Sequence, residues 1–243
     1  ADESGLPGVS MTAIAARLGF TTMSLYRYVR AKEDLMVLLA EHGIGLPPAA
    51  IAEADDWREG LRRWHAAVRD VYRAHPWLLD LPVDGAPMTP NNLAWLEAAL
   101  GVLARTPLPP ADRLSAAILL SGQVRWEATI ARGYAQLSGP EAREERGRAE
   151  AFVYGRLAGP DDYPVLAETV RSGGLGDEES TFRFGLDRIL DGLEQHMHRS
   201  AAEPAATTGN EQGSGPHESR NGFPVTGSQE EPGRSGPSLP GRA

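Results

Sequence analysis

Residues 20–30, FTTMSLYRYVR, place hydroxyl, phenol and guanidinium groups within one short stretch. Hydroxyl and phenol groups can donate hydrogen bonds to phosphate oxygens, and a guanidinium can form two parallel hydrogen bonds to guanine O6 and N7. The side chains at the non-core positions of this stretch are Thr22, Met23, Ser24, Tyr26, Arg27 and Arg30. Their chemistry is therefore suited to the groove and backbone of a nucleic acid duplex.

Two short helices would have to position these groups. Ser10 is a good N-cap for a first helix over 10–18, and Gly19 supplies the positive φ that ends it. Thr21 or Thr22 can cap a second helix over 22–29, with Leu25, Val29 and Tyr28 as its buried positions. A helix-turn-helix has this arrangement and lays its second helix in the major groove. The spacing alone is common, so a helical hairpin with a solvated outer face remains an alternative.

The charge of this region does not decide between the two interpretations. The whole chain has a net charge of −9, and residues 1–45 hold four basic and five acidic residues. The basic residues all lie between 17 and 32, whereas the acidic ones lie outside that range. A large nonspecific basic surface is excluded, and a small local one is not.

The longer segment SMTAIAARLGFTTMSLYRYVRAKEDLMVLL resembles the DNA-binding motif of the tetracycline-repressor (TetR) family. Ile14-Ala15, Leu18-Gly19-Phe20, Leu25-Tyr26, Tyr28-Val29, Lys32 and Leu35 all match in register. The resemblance implies that groove contacts come from Thr22, Met23, Ser24, Arg27 and Tyr28, and phosphate contacts from Thr12, Tyr26 and Lys32. Arg27 is the expected base reader, and Tyr28 has the alternative role of a half-buried spacer. The chain begins without a methionine, so we expect the first helix of the family to be largely missing from it.

The rest of the chain is also helical in pattern, and we predict an all-α protein. Apolar residues recur at spacings of three and four, and sustained strand alternation is absent. We divide the chain into a helix-turn-helix domain at 1–45, a larger helical ligand-binding and dimerisation domain at 46–199, and a tail at 200–243. The tail has 8 Gly, 6 Pro and 6 Ser among 44 residues, so it buries too little apolar surface to order, and we predict it to be disordered.

Three segments of the larger domain, AHPWLLDLP, PNNLAWLEAALGVL and FRFGLDRILDGLE, resemble the C-terminal regulatory domain of the TetR subgroup nearest the tetracycline repressor. The resemblance implies that the helices over 110–136 and 179–198 pair with their copies in a second subunit, which predicts a homodimer. Internal core packing is the alternative explanation of their small and apolar residues. The predicted interface residues are Ile118, Gly122, Phe182, Leu186, Ile189 and Leu193.

A small-molecule site requires an apolar cavity with a few convergent polar groups. The helices over 55–74, 90–105 and 110–136 hold four of the five tryptophans, together with His65, Asn91, Asn92, Gln123, Arg125 and Glu127. Tryptophans on amphipathic helices are also common in cores, so the prediction of a ligand site rests on these residues together and not on any one of them. The first candidates for ligand binding are Trp64, His65, Asn92, Trp95, Gln123 and Trp126.

Several classes of protein find no support in the sequence. There is no cysteine, no apolar run long enough to span a bilayer, and no Walker, Rossmann, nucleophile-elbow or zinc-protease motif. We therefore predict a cytoplasmic, non-enzymatic protein with no metal or cofactor and no membrane partner. The predicted function is that of a ligand-responsive repressor that binds palindromic double-stranded operator DNA as a homodimer and is released by a small-molecule inducer. The alternatives are a helical small-molecule-binding protein or enzyme, or a helical adaptor, with an incidental helix-turn-helix.

Overall fold

The computed structural model describes residues 1–82, 89–135, 145, 147–149, 152–156, 161–173 and 178–202, and every regular element among them is helical. The α-helices are α1 Met11–Leu18, α2 Thr22–Leu25, α3 Lys32–Ile44, α4 Trp57–Ala74, α5 Pro90–Leu103, α6 Pro110–Ala135, α7 Pro164–Arg171 and α8 Glu178–Ala202. Short 3-10 helices lie at Leu6–Gly8, Ala49–Ile51 and Pro76–Asp80. The predicted all-α class is confirmed. Helix α8 extends into the first residues of the predicted tail, and 203–243 lie outside the described residues.

Local hydrogen bonds at 10–34 define the first three helices. Ser10 Oγ accepts from the Ala13 N–H at 3.1 Å, and Gly19 ends α1 with φ 72°. Thr21, rather than Thr22, caps α2, because its Oγ1 accepts from the Ser24 N–H at 3.3 Å. The chain then begins α3, where Asp34 accepts from the Ala31 N–H at 3.2 Å.

The second helix is shorter than predicted. It ends at Leu25, not at residue 29, because the chain tightens there into a turn in which the Tyr28 N–H donates to Leu25 O at 2.9 Å. Leu25 and Val29 are half-buried, as expected of the inner face, but Tyr28 is 77% exposed. Its predicted place among the buried positions is wrong, because the tightened turn rotates its side chain away from that face.

The core of the larger part lies between α4, α5, α6 and α8. Leu61, Leu103, Leu120, Val124 and Leu190 are fully buried there. Gly60 lets α4 approach α5 closely, since a Cβ at this position would lie 2.8 Å from Val102 Cγ1. The core is therefore closed by helix packing within one chain, with α6 as its longest element.

The C-terminal end of α3 is held by the larger part. The Asn91 backbone N–H donates to Glu41 Oε1, and Asn91 Nδ2 donates to Glu41 O, both at 2.8 Å. Trp95 Nε1 donates to Gly45 O at 3.0 Å. Helix α3, which begins at the end of the helix-turn-helix, is thus hydrogen-bonded to α5, and we call these contacts of Glu41, Asn91 and Trp95 the α3–α5 joint.

None of the helices within the described ranges is both long enough and apolar enough to cross a membrane.

Candidate nucleic-acid interface and ligand cleft

The side chains predicted to contact DNA form one exposed surface around α2. Met23 and Tyr28 are 75% and 77% exposed, and Tyr26 and Arg27 are also exposed. Thr12 on α1 and Lys32 at the start of α3 are exposed as well. The alternative of Tyr28 as a half-buried spacer is wrong, because most of its ring meets solvent.

Thr22 and Ser24 are less available than the other predicted contacts. Both are half-buried, and Ser24 Oγ lies 2.9 Å from Thr21 Oγ1 in a local hydrogen bond. They are at the beginning of α2, where Thr21 serves as the cap. Their part in recognition stays a prediction.

The basic groups of this surface differ in their partners. Arg17 is paired with Glu3 at 2.6 Å, and this hydrogen bond is the main reason that the pKa of Glu3 is lowered. The Arg27 guanidinium lies over the Tyr28 ring, 5.7 Å from its centroid. Within the described part of the chain, Arg27, Arg30 and Lys32 form no ion pair. These three cations are therefore available to phosphate or base acceptors.

Most of the predicted ligand-binding residues do not come together. Trp64 and Trp95 are core residues that pack edge to face at 6.4 Å, and Trp64 Nε1 donates to Trp95 O at 2.9 Å. Asn92 donates to Thr89 Oγ1 at 2.7 Å within its own helical turn. Trp126 is 64% exposed. Only His65 and Gln123 of the six lie near the open cleft between α4, α6 and α8.

That cleft has a volume of about 380 Å³ and includes His65 on α4 and Glu127 on α6 among its lining residues. Glu127 is fully buried and accepts from Gln123 Nε2 at 2.8 Å through Oε1. His65 is 4% exposed, and its Nε2 lies 3.1 Å from Glu127 Oε2, although the two atoms are not aligned for a hydrogen bond. A buried carboxylate with one neutral donor is costly unless another partner completes it. Glu127 was in the sequence-based group of polar residues but not among its first candidates.

The predicted interface residues divide into two sets. Ile118 is 61% exposed and Gly122 is also exposed, both on α6. Phe182 is buried, and Leu186, Ile189 and Leu193 are half-buried and pack partly on the core of their own chain. The spacing of four residues on α6 adds two further exposed apolar residues to the first set, Leu114 and Trp126. We call Leu114, Ile118, Gly122 and Trp126 the α6 stripe.

An exposed helix-turn-helix is joined by α3 to a larger helical part that contains a cleft, and this is the arrangement expected of a DNA-binding regulator. The family model described as tetracyclin repressor-like, C-terminal domain matches residues 48–197. The chain belongs to the TetR family. As a member of that family it is a transcriptional regulator rather than an enzyme, and the predicted family and regulatory class are confirmed.

Two curated relatives and two solved structures agree with this assignment. The HTH-type transcriptional repressor DrrR1 of Streptomyces coeruleorubidus is 32% identical over 214 residues, which cover 84% of this chain and 77% of the relative. An HTH-type transcriptional regulator of Saccharopolyspora erythraea is 27% identical over 192 residues, 79% of this chain and 78% of the relative.

The solved structures are both of ActR from Streptomyces coelicolor. The apo form has a TM-score of 0.69 at 22% identity and covers 82% of this chain and 91% of its own. The complex with actinorhodin has a TM-score of 0.68 at 23% identity, with 82% and 92% covered. At these identities the two structures support the fold.

Proposed function

We propose that the protein acts in the cytoplasm as a homodimer that represses transcription by binding a palindromic operator. One α2 from each protomer enters the major groove, and the two grooves lie one helical turn apart, about 34–36 Å. The observation that carries this proposal is the exposed surface of Met23, Tyr26, Arg27 and Tyr28, with Lys32 beside it. Arg27 reads a base, while Thr12, Tyr26 and Lys32 contact phosphates.

The α6 stripe supports the proposed pairing of two chains. Monomeric proteins seldom leave a row of large apolar side chains on one helix in water, and such a row marks an interaction surface. Gly122 in the middle of the stripe would allow close approach of the same helix from a second copy. A two-fold axis there also matches the symmetry of a palindromic operator.

The α3–α5 joint supports a route from ligand to DNA. Helix α3 begins at Lys32, next to the proposed groove surface, and ends in hydrogen bonds to α5. A ligand that prefers one arrangement of the larger domain moves α3 through this joint and changes the separation of the two α2 helices. Operator affinity then falls because the ligand stabilises the wrongly spaced state, and the coupling is reciprocal.

Selection of bound duplexes from a random DNA pool tests this function. The full chain should enrich a palindrome whose half-sites are centred about one turn apart. Lack of enrichment by a folded dimer would overturn the proposal and favour a ligand-binding or adaptor role. The same selection with the double variant Arg27→Ala, Lys32→Ala gives the background, and a palindrome recovered equally well by that variant would also contradict the assigned surface.

A further inference from the structure

The floor of the cleft between α4, α6 and α8 contains two buried polar atoms without a hydrogen-bond partner. Glu127 Oε2 and His65 Nε2 are both in this state, and their residues are 0% and 4% exposed. Unpartnered buried polar atoms are rare in native proteins, because each one forgoes the hydrogen bonds that it makes in water. Two of them 3.1 Å apart at the bottom of an open cleft indicate a position for a bound group.

Glu127 is the carboxylate of the cleft that has no arginine partner, and its nearest ionisable group is His65, with Nε2 3.1 Å from Oε2. Arg62 is paired with Asp187 at 3.0 Å, and Arg69 contacts Glu179 at 3.3 Å. Arg183, the remaining arginine of the cleft, is exposed to solvent. The two arginine–carboxylate pairs lie at the rim, whereas the Glu127 carboxylate below them has only the neutral Gln123 amide as a hydrogen-bond donor. A buried carboxylate is stabilised most by a donor that also carries positive charge.

The two acceptor atoms at the floor of the cleft, His65 Nε2 and Glu127 Oε2, indicate which kind of donor group a ligand must carry. Histidine protonated on Nδ1 presents Nε2 as an acceptor, so His65 Nε2 and Glu127 Oε2 can accept from one atom placed between them. A hydroxyl has one proton to donate, whereas a primary ammonium has three N–H groups. Phe182 and Leu186 give the same cleft an apolar wall.

We propose that this cleft binds the effector through a primary ammonium group that donates to both Glu127 Oε2 and His65 Nε2, with the apolar body of the molecule against Phe182 and Leu186. This inference rests on the proposed function, because the bound molecule is taken to be the inducer of the repressor. The Arg69 Nε is also buried without an acceptor, and an oxygen atom on the same molecule would accept a hydrogen bond from it.

Direct titration of the free protein tests the class of ligand. The probes are 2-naphthylmethylamine, 2-naphthylmethanol and the N,N,N-trimethyl derivative of the amine, which share one ring system. The amine should bind at least about tenfold more tightly than either analogue, because the alcohol has one donor and the trimethyl derivative has charge but no N–H. Equal affinity for the amine and either analogue, or no binding of the amine at its solubility limit, would overturn the proposal.

Two matched variants locate the preference. Glu127→Gln should remove most of the preference for the amine over the alcohol, whereas Glu168→Gln, at an exposed residue of α7 outside the cleft, should keep it. A preference that persists in Glu127→Gln would place the amine elsewhere and contradict the assignment. If Glu127→Gln does not fold, the comparison of the primary and trimethyl amines on the unchanged protein decides the question alone.

The titration contains no DNA, so its result is independent of operator binding. An operator recovered from the random pool together with indifference to the amine would refute this ligand class and leave the repressor function in place. Amine binding by a protein that enriches no operator would refute the repressor function and leave this ligand class in place.

Discussion

Arg27 lies in the turn that follows α2 and Lys32 at the start of α3, and their side chains are given different roles in the proposed complex. Arg27 has a planar, forked guanidinium that matches two acceptors on a guanine edge, whereas Lys32 has a compact charge suited to a phosphate. The Arg27 guanidinium lies over the exposed Tyr28 ring, 5.7 Å from its centroid. We therefore expect Arg27 to recognise the base sequence and Lys32 to contribute electrostatic attraction to the phosphate backbone.

Substitution of each residue should give a different pattern of loss. Arg27→Ala should cost about 1–3 kcal/mol of binding free energy and relax specificity at one base position. Lys32→Ala should weaken all sequences alike and reduce the salt slope of binding by about 1. Fluorescence anisotropy on duplexes altered at single positions, over a range of salt, measures both. The exposed Arg73 on α4, paired with Asp70, is the control and should be neutral when changed to alanine. Equal loss on every sequence for Arg27→Ala would contradict its role in base reading.

Among the contacts between helices, the α3–α5 joint depends on Asn91, whose backbone and side chain both donate to Glu41. Asn91→Ala removes the side-chain donor to Glu41 O and leaves the backbone N–H of residue 91 as the remaining donor to Glu41 Oε1. The expected cost is about 1–3 kcal/mol of unfolding free energy, with faster hydrogen exchange at the end of α3. Asn92→Ala is the matched control, because Asn92 bonds only within its own turn and should leave exchange in α3 unchanged. Equal exchange in both variants would show that the joint does not hold α3.

Packing of α4 on α5 gives a second prediction at this scale. Gly60→Ala places a Cβ 2.8 Å from Val102 Cγ1, so the two helices must separate. Overpacking of this kind costs about 1–3 kcal/mol, which outweighs the gain of about 1 kcal/mol in helix propensity. Gly101→Ala lies within α5 with no atom within 4 Å of the new Cβ and should raise the melting temperature. Thermal denaturation should therefore show opposite shifts, and a stabilised Gly60→Ala would refute the close packing.

The sequence predicted the elements better than the cleft, for physical reasons. Caps and helix limits depend on neighbouring residues, so Ser10 as the N-cap of α1 and Gly19 as its end could be identified from local patterns. The early end of α2 could not, because the i to i+3 turn at Leu25 has no distinctive residue. The cleft joins His65, Glu127 and Phe182, which are far apart in the chain, and only the packing of three helices brings them together.

The dependence on packing partners also explains why the roles of the tryptophans and of α8 could not be predicted from the sequence. Whether an indole lines a cavity or fills the core depends on the facing helix, and Trp64 and Trp95 face each other. Apolar spacing on α8 fits both core packing and an interface, and the chain uses much of that face for its own core. The family resemblance led to the prediction of Ile118 and Gly122 as interface residues, and both are exposed, but it did not indicate that Trp126 belongs to the same stripe.

For the whole molecule, the α6 stripe should control assembly. Ile118→Glu places two like charges near the proposed two-fold axis, where they would lose solvent, so the dimer should dissociate and operator binding should fail with it. Leu46→Glu, at a residue 73% exposed outside the stripe, is the control and should remain dimeric. Sedimentation velocity measures the change. A dimeric Ile118→Glu protein that binds its operator normally would contradict an interface on this stripe.

The dependence of affinity on half-site spacing shows whether the two α2 helices of a dimer read two successive major grooves. A duplex carrying the selected palindrome is compared with one in which about five base pairs, half a helical turn, are inserted between the half-sites. We expect tight binding to the first and only nonspecific binding to the second, because the two α2 helices cannot then reach the same face of the DNA. Equal affinity for the two duplexes, or for a single half-site, would contradict a dimer that reads two successive major grooves.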